Sequence, residues 1–431
     1  MRSCLRFSHL AQVVAAVAAV TGLAQNASAD PPACSSLAHP VYITGSSALE
    51  SAIGGVAQAL ETAASPVTVV YVSQGSCVGV TAMSVASGDA TNTLTPGTLV
   101  ADTFDATTGA KTSPGCTLDP GGVSADIGAS DVYASTCGTP VAADAHDFHT
   151  FNQVMQFAVP IGTGGSDATA ITAEAAYMVF GFGAAAGKQI TPWNDPSVIF
   201  ERGGGSGTQA MLGVAINVPG AKWVNSGPDG TGGGPYTESS GGNLETKLAG
   251  TISGTKGKAA IGILAADVTA AHPNDVRPLA FQAYGQTCAF LPDSKQGSFD
   301  KANVRDGHYA VWGPEHLYTF VGGDGKAVNP DAQVVLDVLT GATTLTTFDF
   351  LKYEATHGVV PDCAMKVSRT TEVGQLASYQ PKGDCTCAYV TDATGTAPAD
   401  CKTCTAATGT VDSTHCSAGR NVCNYGFCEV K

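Results

Sequence analysis

Charged residues are scarce in this 431-residue chain. They account for 13% of it, whereas 44% of the residues are hydrophobic and 52 are glycine. This apolar fraction, with abundant Gly, Ala, Ser and Thr, is typical of a globular protein with many turns, and it excludes a disordered chain or a coiled coil. The length allows two domains and a substantial core.

Basic residues are the rarer kind of charge. The chain has 21 Lys and Arg against 36 Asp and Glu, a net charge of −15. A surface with this balance argues against nucleic acid and anionic membranes as partners. A local site can still differ in sign from the whole protein, so an anionic ligand is not excluded.

Long hydrophobic runs are missing after residue 24. The first 29 residues have the pattern of a secretory signal peptide, with Arg2 and Arg6 before an apolar run and Ala27-Ser28-Ala29 as the cleavage site. The run is too short and alanine-rich to favour the alternative of a retained anchor. Cleavage would take Arg2 and Arg6 from the 21 basic residues and leave a balance of −17. We expect an exported protein, periplasmic or extracellular.

The cysteines are expected to form disulfides, because the chain is exported. Cleavage removes Cys4 and leaves 13 of the 14, so one thiol stays unpaired or forms an intermolecular bridge. Connectivity cannot be deduced from sequence, and the expected pairs of the main body are Cys116 with Cys137 and Cys288 with Cys363.

Seven cysteines follow residue 384, where apolar periodicity stops. We interpret residues 379–431 as a separate Cys-rich tail held by disulfides. The spacings Cys385-x-Cys387 and Cys401-x-x-Cys404 would also suit zinc, but disulfides are favoured in an exported chain.

Strands alternate with helical segments, which indicates an α/β fold with a parallel or mixed sheet. The predicted strands are 41–44, 67–73, 123–131, 156–162, 197–202, 258–264 and 306–320. The predicted helices are 170–187, 208–218, 330–340, 344–354 and one that starts at Ser47. In the last, Leu49, Ile53, Val56 and Leu60 form one apolar face, and Ser47 with Glu50 forms a capping box. Residues 89–122 are interpreted as a long surface insertion and 225–243 as a Gly/Ser loop.

Four polar turns each follow a predicted strand: 44–47, 75–76, 129–131 and 202–208. In open α/β sheets, ligands bind outside the carboxyl ends of the strands, where helix N-termini offer free N–H groups. Glycine lets the backbone approach an anion, hydroxyls donate, and arginine supplies a bidentate fork. The set therefore predicts an oxyanion site, although Gly, Ser and Asp are also ordinary turn residues.

These turns, in this order, resemble the phosphate-binding protein of bacterial phosphate ABC importers (PstS-like). The matching segments are ITGSSALES, YVSQGSCVG, DIGASDV, QFAVPIG and RGGGSGT, and KAAIGIL and HYAVWGP are weaker matches. The resemblance covers roughly residues 37–360. It implies a two-lobed periplasmic-binding-protein fold (type 2) with a hinge. Lobe 1 would take 37–157 with 283–378, lobe 2 would take 158–282, and QFAVPIG and VRPLAFQ would cross between them.

The resemblance also implies the roles of the site residues. Ser46, Ser47 and Ser76 would donate hydrogen bonds to the anion, and Asp131 would accept one from a protonated phosphate. Arg202 would pair with its charge, and donors at a helix N-terminus would come from Ser206, Gly207 and Thr208. Two positions depart from the family pattern: Gly204 replaces an aspartate that steadies the arginine, and Ala48-Leu49 replaces a threonine followed by an aromatic residue.

We therefore expect a monomeric receptor without enzymatic activity or cofactor, whose partners are inorganic phosphate or a related oxyanion and an ABC permease. The alternative is a secreted or surface protein that keeps this fold without transport. Catalysis is disfavoured because Thr208 interrupts a G-x-S-x-G motif, and no histidine spacing supports a catalytic triad. His146 and His149 have an H-x-x-H spacing, but without a third ligand a solvated loop is favoured over a metal site.

Overall fold

The computed structural model describes residues 30–86, 92–97, 99–183, 185–225, 236–345 and 348–430. Contacts divide the chain into two units, Met1–Pro31 and Pro32–Lys431, and the elements below belong to the second. The predicted signal peptide lies outside the described residues, as do residues 226–235 of the predicted Gly/Ser loop. In the described ranges, no helix is long and apolar enough to cross a membrane.

The helices are short and spread along the chain. Among the described residues they are α1 (Ser47–Glu61), α2 (Ser76–Ala82), α3 (Ala134–Cys137), α4 (Ala173–Phe182), α5 (Gly207–Ala215), α6 (Gly241–Gly250), α7 (Ala266–Ala271), α8 (Ala302–Arg305), α9 (Pro330–Leu339), α10 (Phe350–Thr356) and α11 (Thr386–Thr394). The helix predicted to begin at 344 begins at Phe350, because the side chain of Asp349 caps it by accepting from the amide of Lys352.

The strands fall between these helices. They are β1 (Pro40–Gly45), β2 (Thr68–Ser73), β3 (Thr93–Leu94), β4 (Ala101–Phe104), β5 (Lys111–Cys116), β6 (Val123–Ser124), β7 (Ile127–Ser130), β8 (Ala145–Pro160), β9 (Ala170–Thr172), β10 (Ile199–Arg202), β11 (Thr237–Glu238), β12 (Ile261–Ala265), β13 (Val276–Pro278), β14 (Ala280–Gln282), β15 (Trp312–Phe320), β16 (Val360–Pro361), β17 (Val367–Ser368), β18 (Ala377–Ser378), β19 (Thr410–Val411), β20 (Val422–Asn424) and β21 (Phe427–Glu429).

Most of these strands join one mixed sheet. Its order is β11-β10-β12-β8-β15-β7-β1-β2-β4-β5, and β13 and β16 also pair with β8. β1 runs parallel to β2 and β7, and β10 runs parallel to β11 and β12. β8 runs antiparallel to both β12 and β15. A mixed sheet with interspersed helices confirms the α/β prediction.

β8 connects the two groups of parallel strands. Its first part pairs with β15 and its last part with β12 and β13. The predicted strand at 156–162 was therefore too short, and the prediction of a solvated loop around His146 and His149 was wrong. His146, Asp147 and His149 carry polar side chains and still lie in the strand, because the whole segment pairs with β15.

The predicted apolar face of α1 is confirmed. Leu49, Ile53, Val56 and Leu60 are each at most 1% exposed and pack in a cluster that includes residues of β1, β2 and α9. A second cluster surrounds the last part of β8 together with α4, α5 and β12. Burial of this apolar surface is the dominant favourable term in folding.

The segment at 89–122 is not only a surface insertion. β4 and β5 form an antiparallel hairpin whose first strand pairs with β2, so the segment extends the main sheet. Asp102 of β4 and Glu50 of α1 both lie within 3.5 Å of the Lys111 ammonium. The polar composition hid these strands, because one face of an edge hairpin is solvated.

The disulfide pairs of the main body differ from both predicted pairs. Within the described ranges the bridges are Cys34–Cys116, Cys77–Cys137, Cys363–Cys385, Cys387–Cys401, Cys404–Cys423 and Cys416–Cys428, while Cys288 is free and exposed. The predictions failed because pairing depends on Cα separations of about 4.4–6.8 Å in the fold, which sequence spacing does not reveal. The disulfide-rich C-terminal segment is confirmed, and its Tyr389 is buried in the core cluster around β8.

Candidate functional site

The four polar turns meet at the ends of their strands. β1 and β2 end in neighbouring register at Gly45 and Ser73, and β7 ends beside them at Ser130. The turn after β10 approaches from the other group of parallel strands, where the amide of Cys77 donates to the carbonyl of Gly205 at 3.2 Å. The structure therefore brings the four predicted turns to one place.

Ser46 anchors the first turn. Its backbone is extended and its hydroxyl caps α1 by accepting from the amides of Ala48 and Leu49, each at 3.1 Å. The predicted cap at Ser47 was one residue too late. Glu50 accordingly does not close a capping box and instead pairs with Lys111 at 3.2 Å. The Ser46 hydroxyl also donates to the carboxylate of Asp131.

Asp131 lies at the centre of the group. This residue is only 3% exposed, and its backbone amide donates to the hydroxyl of Ser76 at 3.3 Å. Ser46 from the first turn and Ser76 from the second therefore both contact the third turn.

Gly207 brings the N-terminus of α5 against the other turns. A Cβ built on it would lie 2.6 Å from the carboxylate Oδ2 of Asp131 and would also collide with the Ser76 hydroxyl. Only glycine fits this approach. Gly75, which has a φ of 98°, is equally constrained, because a Cβ there would lie 2.6 Å from the carbonyl oxygen of Gly205.

The residues flanking Gly207 complete the start of α5. The Ser206 side chain caps the helix by accepting from the amide of Gln209, and Thr208 is 3% exposed. The free amides of such a first turn and the positive end of the helix dipole favour a bound anion.

Arg202 is a buried cation that ends β10. It is 4% exposed, and three hydrogen bonds from its guanidinium go to neutral oxygens: Ser47 Oγ at 3.1 Å, the Glu238 carbonyl at 3.1 Å and the Ser239 carbonyl at 3.0 Å. Burial lowers the pKa of Arg202 to about 10, and the charges of Asp131 and Asp267 oppose that shift. The group is therefore charged at neutral pH, and the nearby charges of Asp131 and Asp267 offset part of the cost of burying it.

The Glu238 and Ser239 carbonyls were not predicted as part of the site. They orient the guanidinium, a task that the family pattern gives to an aspartate at the position of Gly204. They come 36 and 37 residues after Arg202 in the chain, and backbone carbonyls carry no sequence signal, so no pattern could have revealed them.

Glu315 is a second carboxyl that the sequence analysis missed. β15 pairs with β7 through His316 and Ser130, which places Glu315 next to Asp131 across the strands. The residue is 0% exposed, and burial, reinforced by the charge of Asp131, raises the pKa of Glu315 well above its usual value. The available signal was a glutamate within the apolar and aromatic segment HYAVWGPEHL, because glutamate is rarely fully buried unless it has a partner.

A cavity of about 390 Å³ opens at Arg202. It is lined by residues 73–75, 202–206 and 237–239, so three of the segments described above contribute to it. A larger cavity, about 620 Å³, lies on the far side of Gly204 between α5 and the Cys77–Cys137 disulfide. The cavity at Arg202 is large enough for a small anion beside the guanidinium.

Among known proteins, only solved structures are similar to this chain. No protein-family model matches the chain, and no curated protein matches it either. One similar solved structure is assigned as a phosphate ABC transporter substrate-binding protein from Clostridium perfringens with bound phosphate; it is 12% identical, with 75% of this chain and 99% of that chain aligned and a TM-score of 0.45.

Two further similar structures have comparable values. An ABC-type phosphate transport receptor from Vibrio cholerae is 14% identical over 74% of this chain and 99% of its own, with a TM-score of 0.42. A phosphate-binding protein from Stenotrophomonas maltophilia is 14% identical over 75% of this chain and 91% of its own, with a TM-score of 0.40.

Proposed function

We propose that this protein is an exported solute-binding protein that holds inorganic phosphate, or a similar protonated oxyanion, and delivers it to an ABC importer. The observation that carries the proposal is the buried guanidinium of Arg202, which is hydrogen-bonded to neutral oxygens beside a helix N-terminus and a small cavity. A buried cation in this setting is best neutralised by an anionic ligand.

Each residue of the site has a role in this proposal. Arg202 supplies the charge and the N–H groups of Nη1, since its Nε and Nη2 already donate to Glu238, Ser47 and Ser239. Gly207 and Thr208 donate backbone amides, and the hydroxyls of Ser47 and Ser76 donate further hydrogen bonds. Together these groups would replace the hydration shell of the anion.

Asp131 gives the site its selectivity. Its carboxylate can accept a hydrogen bond from HPO4²⁻ or H2PO4⁻, whereas sulfate has no proton to offer and would be repelled. The Ser46 hydroxyl donates to the same carboxylate and so orients it. Burial raises the pKa of Glu315 well above its usual value, which disfavours a second negative charge beside the anion.

We further propose that the protein works by hinge closure between two lobes, residues 37–157 with 283–378 and residues 158–282. Supporting this, β8 and β15 lie between the two groups of parallel strands, and the close approach of Gly207 to Ser76 and Asp131 joins residues of both proposed lobes. A permease would then recognise the closed form of a monomeric receptor, and no catalytic step is part of the proposal.

The test is calorimetric titration of the mature, phosphate-stripped protein with phosphate and then with sulfate at mildly alkaline pH. We expect tight binding of phosphate and no heat with sulfate. Comparable binding of both anions would refute the role of Asp131, and binding of neither would refute the phosphate receptor.

A second candidate is a secreted or surface protein that uses this fold without transport. Three disulfides lie wholly within residues 387–428, and a fourth joins Cys363 to Cys385, which stabilises this segment as a candidate interaction surface. Recovery of the protein from culture medium, with unchanged phosphate uptake after deletion of its gene, would favour this candidate.

A further inference from the structure

A cluster of metal-binding side chains lies on the pair formed by β8 and β15, apart from the anion site. The antiparallel register places His149 directly opposite His316. Asp147 is two residues before His149, so both project from the same face of the strand. His316 is fully buried, whereas the side chains of Asp147 and His149 are 34% and 40% exposed and reach solvent.

The three side chains converge on one point. Asp147 Oδ2 lies 3.3 Å from His149 Nε2 and 2.8 Å from His316 Nδ1. One ligand atom from each residue lies within 4.8 Å of the other two. A tetrahedral zinc ion with bonds of about 2.0–2.1 Å requires ligand atoms about 3.3 Å apart, so small adjustments would suffice.

We propose that Asp147, His149 and His316 form a binding site for a divalent transition-metal ion of the Zn²⁺ type, with a fourth position open to solvent. Two imidazoles and one carboxylate are a ligand set typical of zinc sites with an open position. The His149 and His316 rings are 4.8 Å apart and inclined by 87°, so the edge of one ring meets the face of the other. His149 Nε2 and His316 Nδ1 both lie beside Asp147 Oδ2, which brings the two nitrogens to the same ion position.

The surrounding charge favours a cation. Asp362 adds its negative charge to that of Asp147 near His149, and the whole chain carries −15. The proposed site is separate from the anion site, because adjacent residues of a strand face opposite sides. Glu315 of β15 faces Asp131, whereas His316 faces Asp147.

The strand geometry also explains why His146, the other histidine of the H-x-x-H spacing, is not a ligand of the proposed site. His146 and His149 are three residues apart, and in a strand such residues project from opposite faces. The second imidazole ligand comes from β15, 167 residues after His149 in the chain. His146 is therefore a matched control, since it is an exposed histidine of the same strand that cannot reach the ion.

The experiment is titration of the untagged mature protein with Zn²⁺ in phosphate-free buffer by calorimetry, and with Co²⁺ by visible absorption. We expect one metal ion per chain and a Co²⁺ spectrum typical of four-coordination. His149→Ala and Asp147→Asn should each weaken Zn²⁺ binding by at least about tenfold, while His146→Ala should bind like the wild type. These exposed positions are used because a variant of the buried His316 could fail to fold.

Absence of stoichiometric Zn²⁺ binding by the wild type would overturn the proposal, as would equal binding by His149→Ala, or an equal loss in His146→Ala. Phosphate titration of His149→Ala should match that of the wild type. Failure of the metal site therefore remains distinguishable from failure of the proposed phosphate site.

Discussion

Replacement of Gly207 by alanine tests the contact between α5 and the other turns. The new Cβ would lie 2.6 Å from Asp131 Oδ2 and 2.9 Å from Asp131 Cβ, whereas non-bonded carbon atoms prefer about 3.5–4.0 Å. Overpacking of this kind costs about 1–3 kcal/mol. If the contact forms on closure around the anion, phosphate binding should weaken by roughly 5- to 150-fold, since about 1.4 kcal/mol corresponds to a factor of ten.

Gly205→Ala is the matched control for this change. A Cβ on Gly205 would meet its nearest atom, the carbonyl oxygen of Gln74, at 3.7 Å, which is an ordinary contact. Calorimetric titration with phosphate and thermal unfolding of the phosphate-free protein are measured for both variants. Wild-type affinity in Gly207→Ala would refute the assignment of α5 to the site. A lower unfolding temperature of its phosphate-free form would show that the contact belongs to the fold rather than to closure.

Three further predictions concern charged groups. Asp131→Asn keeps an oxygen that can accept a hydrogen bond from Ser46 but removes the negative charge. Phosphate binding should weaken by about 10- to 100-fold, and sulfate binding should become detectable by calorimetry. An unchanged ratio of the two affinities would contradict the selectivity argument. Arg202→Ala should reduce phosphate binding by at least about 100-fold with circular dichroism unchanged, and wild-type affinity would exclude this arginine from the site. Burial raises the pKa of Glu50 from 4.5 to about 7. Between pH 4.5 and about 7 the folded protein therefore holds a proton that the unfolded chain has released. The free energy of unfolding should fall as pH rises across this interval. Glu50→Gln should make the free energy of unfolding, measured with urea at several pH values, less dependent on pH. An unaltered pH profile would contradict the raised pKa of Glu50.

Local patterns in the sequence predicted the elements whose stability is local. The apolar face of α1 and the β-branched run of β2 lie where the sequence indicated, because the order of apolar residues within an element is set by that element alone. The four polar turns were predicted together for a similar reason, since the ends of parallel strands fall on one edge of a sheet.

What the sequence did not reveal depends on residues far apart in the chain. Glu315 is 184 residues after Asp131 and meets it only through strand pairing. The disulfide pairs and the carbonyls that hold Arg202 are likewise set by tertiary structure. The Ser46 cap was misplaced by one residue because Ser46 and Ser47 are equally good capping residues, and only the backbone conformation decides between them.

The two ends of the main sheet have a consequence for solubility. An exposed strand edge is a template on which another chain can pair, and proteins limit this hazard with short strands, charges and proline. One end of this sheet is β11, which is two residues long, and the other is β5, which contains Lys111 and Pro114. In the part of the chain that the structure describes, both end strands are short or carry charge and proline, so a concentrated solution of this protein should resist growth into fibrils by strand addition.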